Sequence, residues 1–267
     1  MAIHPLAHVD PAAEISAGAA VGPFAVVGPD VVLHDGVEVL PHGVVFGPSE
    51  IGPGTRIFPG AVLGADPQDT RWRGEPTRLV VGRHNTFREG STAHRASAHG
   101  SRETRIGDDN LFMAQAHVAH DCTIGNRCIL ANTAALAGHV EVGDRAVLGG
   151  LAGVHQHARV GRLAMVAAGS MVSQDVPPFG LVQGDRARLV GLNRVGLGRA
   201  GVASGTIKAL RSAYDLLFGR AGPLRAEAIR RVAETWGEVP EVQELLAFVS
   251  SSRRGVCRVH GAPDGAP

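Results

Sequence analysis

The sequence has few aromatic residues, few cysteines, almost no net charge and no long apolar run, and each shortage narrows the fold and function. Aromatic residues make up 4% of the 267, which is low for an ordinary packed core. Three cysteines argue against a disulfide framework, and their spacing is not that of a zinc motif. A formal net charge of +1 gives no reason to expect nucleic acid as a partner. Without a secretory leader or about 18 consecutive apolar residues, we expect a cytoplasmic protein with no stable membrane insertion.

The sequence does contain a six-residue repeat and 36 glycines. Every sixth residue from Ile106 to Val172 is apolar, twelve in succession, and the residue four places later is usually small, as at Cys122 and Cys128. One large aliphatic and one small residue in every six predict a β-solenoid built from hexapeptides. Each hexad gives a short strand and a corner, and three hexads close one coil. A narrow interior of stacked aliphatic side chains also accounts for the lack of aromatics.

The repeat divides the chain. It begins near Val9, fails over residues 64–78, fails again over 94–104, and stops at Pro177-Pro178. Breaks in a solenoid repeat predict loops that project from a coil, and long ordered loops often carry function. We therefore predict a mainly β domain over residues 1–192 with these two loops.

Helical patterns follow, which predicts a small C-terminal helical domain over residues 193–267. Residues 206–218 have helical apolar spacing, Gly222-Pro223 opens a second helix, and Pro240 starts a third. Such a domain can cover the open edge of the last coil. We interpret residues 179–202 as a connector and expect the tail after Arg254 to be disordered.

The repeat converts spacing into position, because residues 18 apart lie one coil apart and directly above each other. Asp121, His139 and His157 are 18 apart and form one column. Four more polar side chains lie on the same ridge: His117, His120, His155 and Gln156. A ridge that selects imidazole indicates function, since imidazole transfers protons near neutral pH. A neutral histidine could act as a general base oriented by a carboxylate, or three histidines could bind zinc, and spacing alone favours neither strongly.

Four motifs resemble one family. They are AHVAHDCTIGNRCILANTAALAGHV (residues 116–140), QDTRWRGEPTR (68–78), GVHQ (153–156) and QDVPP (174–178). Together with the helical tail, they are similar to the UDP-N-acetylglucosamine 3-O-acyltransferase family of lipid A biosynthesis. The resemblance implies a left-handed parallel β-helix and a homotrimer with active sites between subunits. It also implies an acyl carrier protein as donor of an (R)-3-hydroxyacyl chain, UDP-N-acetylglucosamine as acceptor, and no metal or cofactor beyond the carrier's phosphopantetheine.

The resemblance also implies residue roles. His120 would be the general base, Asp121 would orient it, and the backbone N–H of Gly138 would stabilise the oxyanion. Substrate contacts are implied for Gln68, Asp69, Arg71, His117, His139, His155, Gln156, Asn193 and Arg199.

Three positions depart from the family pattern. Ala168 stands at the acyl-chain ruler, where glycine admits a longer chain and a bulky residue shortens it. His157 stands where an aromatic ring is usual, and Arg186 where histidine is usual. A 3-amino nucleotide sugar as acceptor, acyl-CoA as donor, a zinc enzyme of the carbonic-anhydrase type and a non-catalytic scaffold remain alternatives.

Overall fold

The computed structural model describes residues 2–219 and 225–259. Twenty-eight short strands form three parallel sheets, whose spatial order advances by every third strand. The first sheet contains β1 (Ala2–Ile3), β4 (Ala20–Val21), β7 (Glu38–Val39), β10 (Arg56–Ile57), β13 (Thr86–Phe87), β16 (Leu111–Phe112), β19 (Ile129–Leu130), β22 (Val147–Leu148), β25 (Met165–Val166), β27 (Gly180–Gln183) and β28 (Arg188–Leu192). The second contains β2 (His8–Val9), β5 (Val26–Val27), β8 (Val44–Val45), β11 (Val62–Ala65), β14 (Thr92–His94), β17 (His117–Val118), β20 (Ala135–Leu136), β23 (Gly153–Val154) and β26 (Met171–Val172). The third contains β3 (Glu14–Ile15), β6 (Val31–Leu33), β9 (Ser49–Ile51), β12 (Arg78–Val81), β15 (Glu103–Ile106), β18 (Thr123–Ile124), β21 (Glu141–Val142) and β24 (Arg159–Val160).

This arrangement is a parallel β-helix, as the hexapeptide pattern predicts. Each predicted apolar position closes a two- to four-residue strand and points inward, so that Val118, Leu136 and Val154 stack in the core. The small residues lie inward at the corners, where Cys122 and Cys128 are fully buried. The last pair, β27 and β28, is antiparallel and ends the coil.

The corners have a repeated backbone conformation. Ten residues spaced by six have φ between 55° and 61°: Asp109, Gln115, Asp121, Arg127, Thr133, His139, Arg145, Leu151, His157 and Leu163. This left-handed conformation is unfavourable for most L-residues. It places the column of Asp121, His139 and His157 at equivalent corners of consecutive coils. Backbone bonds join those corners, since the His157 N–H donates to the Gly138 carbonyl at 3.1 Å.

The two predicted loops change the coil length without changing the register. Most paired strands are 18 residues apart, as His117 and Ala135 are. Val62 pairs with Thr92, 30 residues later, and Thr92 pairs with His117, 25 residues later. The extra residues leave the core between β11 and β12 and between β14 and β15, so the flanking strands keep their inward residues.

Four helices follow the β-helix in the described part of the chain: α1 (Arg194–Arg199), α2 (Ser204–Phe218), α3 (Arg225–Trp236) and α4 (Pro240–Ser250). Helix α1 lies in the segment that the sequence predicted to be a connector. α1 is only six residues long and contains two glycines, so it lacks the apolar spacing that marked the other helices. The predicted helix opening at Gly222-Pro223 lies outside the described residues.

The helices pack on the last coil and share its hydrophobic core. Leu210 and Ala213 of α2 are fully buried, and the Tyr214 hydroxyl donates to the Pro178 carbonyl. Arg162 of the β-helix pairs with Glu244 of α4 at 2.8 Å. These contacts cover the end of the solenoid that would otherwise expose an unpaired edge.

The prediction of a disordered tail after Arg254 is wrong as far as Val259. Val256 and Val259 form parallel bridges with Asp175 and Leu189, and Cys257 is buried. The Asp175 side chain holds this return, because it accepts bonds from the Arg159 backbone and guanidinium and from Ser252. Among the described helices, none combines the length and apolar character needed to cross a membrane.

Candidate active site

One corner of the β-helix collects both loops and the histidine column. This corner joins the second sheet to the third. In successive coils it holds residues 66–77, then 95–102, then His120 and Asp121, then His139, then His157. The two breaks in the repeat and the imidazole ridge are therefore parts of one surface, although they span about 90 residues of sequence.

His120 and Asp121 form the most closely coupled pair at this corner. The His120 Nδ1 lies 2.8 Å from the Asp121 Oδ2, and their side chains are 14% and 1% exposed. Burial opposes ionisation of Asp121, but hydrogen bonds from His120 and Ser97 outweigh it and lower its pKa to about 2. An ionised carboxylate only accepts hydrogen bonds, so Nδ1 carries the proton and Nε2 has a free lone pair. The geometry is that of a general base with an orienting carboxylate.

The column continues upward through two more histidines. The His139 ring meets the His120 ring edge-on at 5.1 Å and stacks on the His157 ring at 4.4 Å. Its Nε2 lies 3.9 Å from the Asp121 Oδ2. Burial lowers the pKa of His139, and the Asp121 charge only partly offsets this. His139 is therefore mainly neutral at neutral pH and available as a hydrogen-bonding group.

Gly138 leaves the space that His120 occupies. A Cβ at Gly138 would lie 2.6 Å from the His120 Cε1 and 2.8 Å from its Nε2. Within the described residues the Gly138 N–H donates to no backbone or side-chain acceptor, while its carbonyl is used by His157. The predicted base and the predicted N–H donor therefore border the same space.

The second loop supplies partners of Asp121 that the sequence reasoning missed. Ser97 donates to the Asp121 Oδ2 through both its N–H, at 3.0 Å, and its hydroxyl, at 2.7 Å. Ser101 lies 3.2 Å from Oδ1, and the Asp121 N–H donates to the Thr104 hydroxyl at 2.8 Å. The only sequence signal was a polar segment interrupting the repeat one coil before a buried aspartate.

His117 lies on β17 beside the corner, next to a second histidine that the sequence reasoning also missed. The His117 Nδ1 is 2.7 Å from the Thr92 hydroxyl, and its ring meets that of buried His94 at 5.3 Å. His94 donates to the Asp66 carbonyl at 2.7 Å, which ties the first loop to β14. Burial and the nearby His94 and His120 lower the pKa of His117 to about 4.

The first loop presents three of the predicted substrate residues near the same corner. Gln68 is exposed, and Asp69 accepts two bonds from the Arg71 guanidinium, at 3.1 and 2.8 Å. Those bonds hold the pKa of Asp69 well below its usual range, with a smaller contribution from the charge of His120. Arg95 anchors the loop by binding the Asp66 carboxylate and the Gly47 carbonyl, with Trp72 over its guanidinium.

The remaining predicted residues lie away from the His120–Asp121 pair. His155 and Gln156 are exposed at the corner one coil above Gly138, and Ala168 is exposed at a different corner, between β25 and β26. Asn193 has structural contacts on this chain: its Oδ1 accepts from the Gly196 N–H and its Nδ2 donates to the Leu163 carbonyl. Arg199 ends α1 and is exposed. A further exposed position is Arg186, in the turn between β27 and β28.

The corner could also hold a metal ion. One atom from each of His120, Asp121 and His139 lies within 4.8 Å of the others. Two imidazoles and a carboxylate can bind zinc. Asp121 already accepts from His120 and from Ser97, so a metal there would replace existing hydrogen bonds.

Comparison with known proteins identifies the family. A family model described as "Udp N-acetylglucosamine O-acyltransferase; Domain 2" matches residues 175–257, and one described as "Bacterial transferase hexapeptide (six repeats)" matches 103–138. The acyl-(acyl-carrier-protein)–UDP-N-acetylglucosamine O-acyltransferase of Anaeromyxobacter sp. is 48% identical over 97% of this chain and 100% of its own. The protein of that name from Thermodesulfovibrio yellowstonii is 45% identical over 96% and 99%. The chain belongs to the UDP-N-acetylglucosamine O-acyltransferase family.

Solved structures of the family have the same fold. The Francisella novicida UDP-N-acetylglucosamine acyltransferase is similar over 97% of this chain and 95% of its own, with 35% identity and a TM-score of 0.94. A structure from Moraxella catarrhalis covers 97% and 100%, with 37% identity and a TM-score of 0.93. The similarity runs through the β-helix, both loops and the helical tail, and the protein is an acyltransferase.

Proposed function

We propose that this acyltransferase transfers an (R)-3-hydroxyacyl chain from acyl carrier protein to the 3-hydroxyl of UDP-N-acetylglucosamine, the first step of lipid A biosynthesis. The names of its full-length relatives support this donor and this acceptor. The observation that carries the chemistry is the 2.8 Å contact between the His120 Nδ1 and the Asp121 Oδ2, which leaves Nε2 free beside Gly138.

The reaction follows from these three residues. The His120 Nε2 takes the proton of the 3-hydroxyl as the oxygen attacks the thioester carbonyl, and Asp121 stabilises the imidazolium that forms. The new C–O bond places a negative charge on the carbonyl oxygen, which the Gly138 N–H stabilises. Collapse of this intermediate breaks the C–S bond, and the phosphopantetheine thiolate takes the proton from Nε2. Protons balance, and neither a metal nor another cofactor is required.

We propose that Gln68, Asp69, Arg71, His117, His139, His155, Gln156, Asn193 and Arg199 contact the substrates. For the first five, the support is their position on or beside the corner that carries His120. Two carboxylate-free imidazoles with lowered pKa, His117 and His139, suit hydrogen bonding to a neutral or phosphorylated sugar. Asn193 would serve both α1 and a ligand only through atoms that its structural bonds leave free.

We propose a left-handed coil, a β-helix domain over residues 1–192, a helical domain over 193–267, and a homotrimer with the site between subunits. Exposed apolar side chains on the coils of the site support an assembly, since Leu151 is 64% and Met171 48% exposed. Sedimentation of the purified protein tests the trimer. Because carrier-bound acyl chains and nucleotide sugars are made in the cytoplasm, we place the reaction there.

The decisive experiment is turnover by the purified protein. UDP-N-acetylglucosamine and its 3-amino analogue are each incubated with a 3-hydroxyacyl carrier protein and with the matching acyl-CoA, and the products are identified by mass spectrometry. We expect one acylated product, from UDP-N-acetylglucosamine and the carrier protein. His120→Ala should reduce kcat by about 10²–10⁴-fold. His8→Ala, at an exposed position of β2, is the matched control and should be fully active.

A zinc hydrolase is the second candidate, because three possible ligands meet at the corner. It predicts about one metal ion per chain by elemental analysis and loss of activity with a chelator. Acyl transfer that persists after exhaustive chelation would exclude it.

A further inference from the structure

The second loop encloses the carboxylate of Asp121. Ser97 is fully buried, and its N–H and hydroxyl both donate to Oδ2, the oxygen that faces the His120 Nδ1. A Cβ at Gly100 would lie 2.1 Å from Oδ1, so the loop fits closely around the carboxylate. These contacts span 24 residues of sequence and occur at the interruption of the repeat, where the regular fold does not require them.

Ser97 differs from the other hydroxyl beside Asp121. The Ser101 hydroxyl lies 2.6 Å from the Glu103 carbonyl and 3.2 Å from Oδ1, and it has a single proton, which goes to the closer acceptor. The Ser97 hydroxyl proton has Asp121 as its acceptor. Hydrogen bonds to a charged acceptor are stronger than neutral ones, and here two come from one residue.

Resting on the proposed function, we propose that Ser97 is a positioning residue: its two hydrogen bonds fix the Asp121 carboxylate so that Oδ2 holds the His120 imidazole in the productive orientation. Ser97 touches neither substrate nor the reacting atoms and acts through Asp121. Loss of its hydroxyl lets the carboxylate rotate about its terminal torsion, which is intrinsically broad. The imidazole then spends less time aimed at the acceptor hydroxyl, so the chemical step slows while binding is kept.

The test is a double-mutant cycle with wild type, Ser97→Ala, Asp121→Ala and the double variant, assayed with UDP-N-acetylglucosamine and 3-hydroxyacyl carrier protein. We expect Ser97→Ala to lower kcat about 10- to 100-fold and to leave KM within twofold. In the Asp121→Ala background the same change should alter kcat less than twofold, because Ser97 acts through Asp121. Ser97→Thr, which keeps the hydroxyl, should recover most of the rate.

The matched control is Ser91→Ala. Ser91 is also fully buried and its hydroxyl donates to the Arg88 carbonyl at 2.7 Å, away from Asp121. Both alanine variants should lower the melting temperature by a similar amount, but Ser91→Ala should keep kcat. Equal losses of kcat in the two variants, or a full Ser97→Ala effect in the Asp121→Ala background, would overturn the positioning role and leave the proposed function intact. Wild-type protein without turnover would overturn the proposed function and this inference with it.

Discussion

The absent side chain of Gly138 is the space in which the His120 imidazole lies, since a Cβ there would be 2.6 Å from the His120 Cε1. Backbone strain does not require this glycine, because its φ is outside the left-handed range. We therefore expect Gly138→Ala to push the ring away from its position against Asp121. The expected outcome is at least a 100-fold loss of kcat with a melting temperature close to that of the wild type, measured by steady-state kinetics and thermal unfolding.

Gly28→Ala is the control for that substitution. It adds the same methyl group to the β-helix at a position where the nearest atoms are 3.6 Å away, an ordinary contact. This variant should retain wild-type kcat. If Gly138→Ala were equally active, the close approach of His120 to Gly138 would have no part in catalysis.

The acyl-chain preference tests Ala168. As a hypothesis, its methyl group excludes about one or two methylenes that glycine would admit, each worth about 0.8 kcal/mol of burial. Ala168→Gly should therefore shift the preferred donor to a chain longer by one or two carbons. A competition assay with 3-hydroxyacyl carrier proteins of graded length measures the shift, and identical profiles would remove the hypothesis.

His117 predicts a pH dependence of stability. Its pKa is about 4 in the folded protein and about 6.5 when unfolded, so the unfolded chain takes up the proton first as the pH falls. The free energy of unfolding should consequently decrease between pH 6.5 and 4, by up to about 3 kcal/mol per chain from this residue. His94 and His139, whose pKa values are also lowered, add a loss of the same sign.

Denaturant titrations at fixed protein concentration across this range measure the slope. His117→Gln should flatten it, whereas His8→Gln, at an exposed position, should leave it unchanged. A slope of the same size in His117→Gln would mean that His117 titrates normally in the folded protein. The lowered pKa of Asp121 acts in a separate window, with stability lost as the pH falls from about 4 to about 2.

Asp175 predicts where the C-terminal return is held. Its side chain is 1% exposed and binds Arg159 and Ser252, and its backbone pairs with Gly255 and Cys257. Removing the carboxylate leaves the partly buried Arg159 charge without its partner, which costs about 3–5 kcal/mol in comparable pairs. Asp175→Ala should lower the free energy of unfolding by about that amount. Asp10→Ala, which removes an exposed turn contact to Ala12, should cost about 1 kcal/mol at most.

The sequence was sufficient to predict the coil and the histidine column, because a strict period turns spacing into position. Asp121, His139 and His157 lie at equivalent corners as their separation of 18 predicts, and the stacking of His139 on His157 confirms it. The resemblance added roles for His120 and Gly138, and those roles remain predictions.

The period could not predict what happens where it stops. The contact of Ser97 with Asp121 depends on the path of an irregular loop, and no rule of spacing relates residues 24 apart across a break. The same reason hid α1, which is too short for a helical pattern, and the pairing of Val256 with Asp175, which joins segments of no shared repeat.

The constant separation of paired strands has a consequence for how such a chain can change in length. One residue added inside a regular hexad would turn every later core side chain of that coil outward, so length changes there are tolerated only as complete layers of 18. The corner where 12 and 7 extra residues already leave the stack without disturbing it is free of that restriction. New specificity can therefore arise beside the imidazoles by growth of these two excursions, while the spindle beneath them is inherited unaltered.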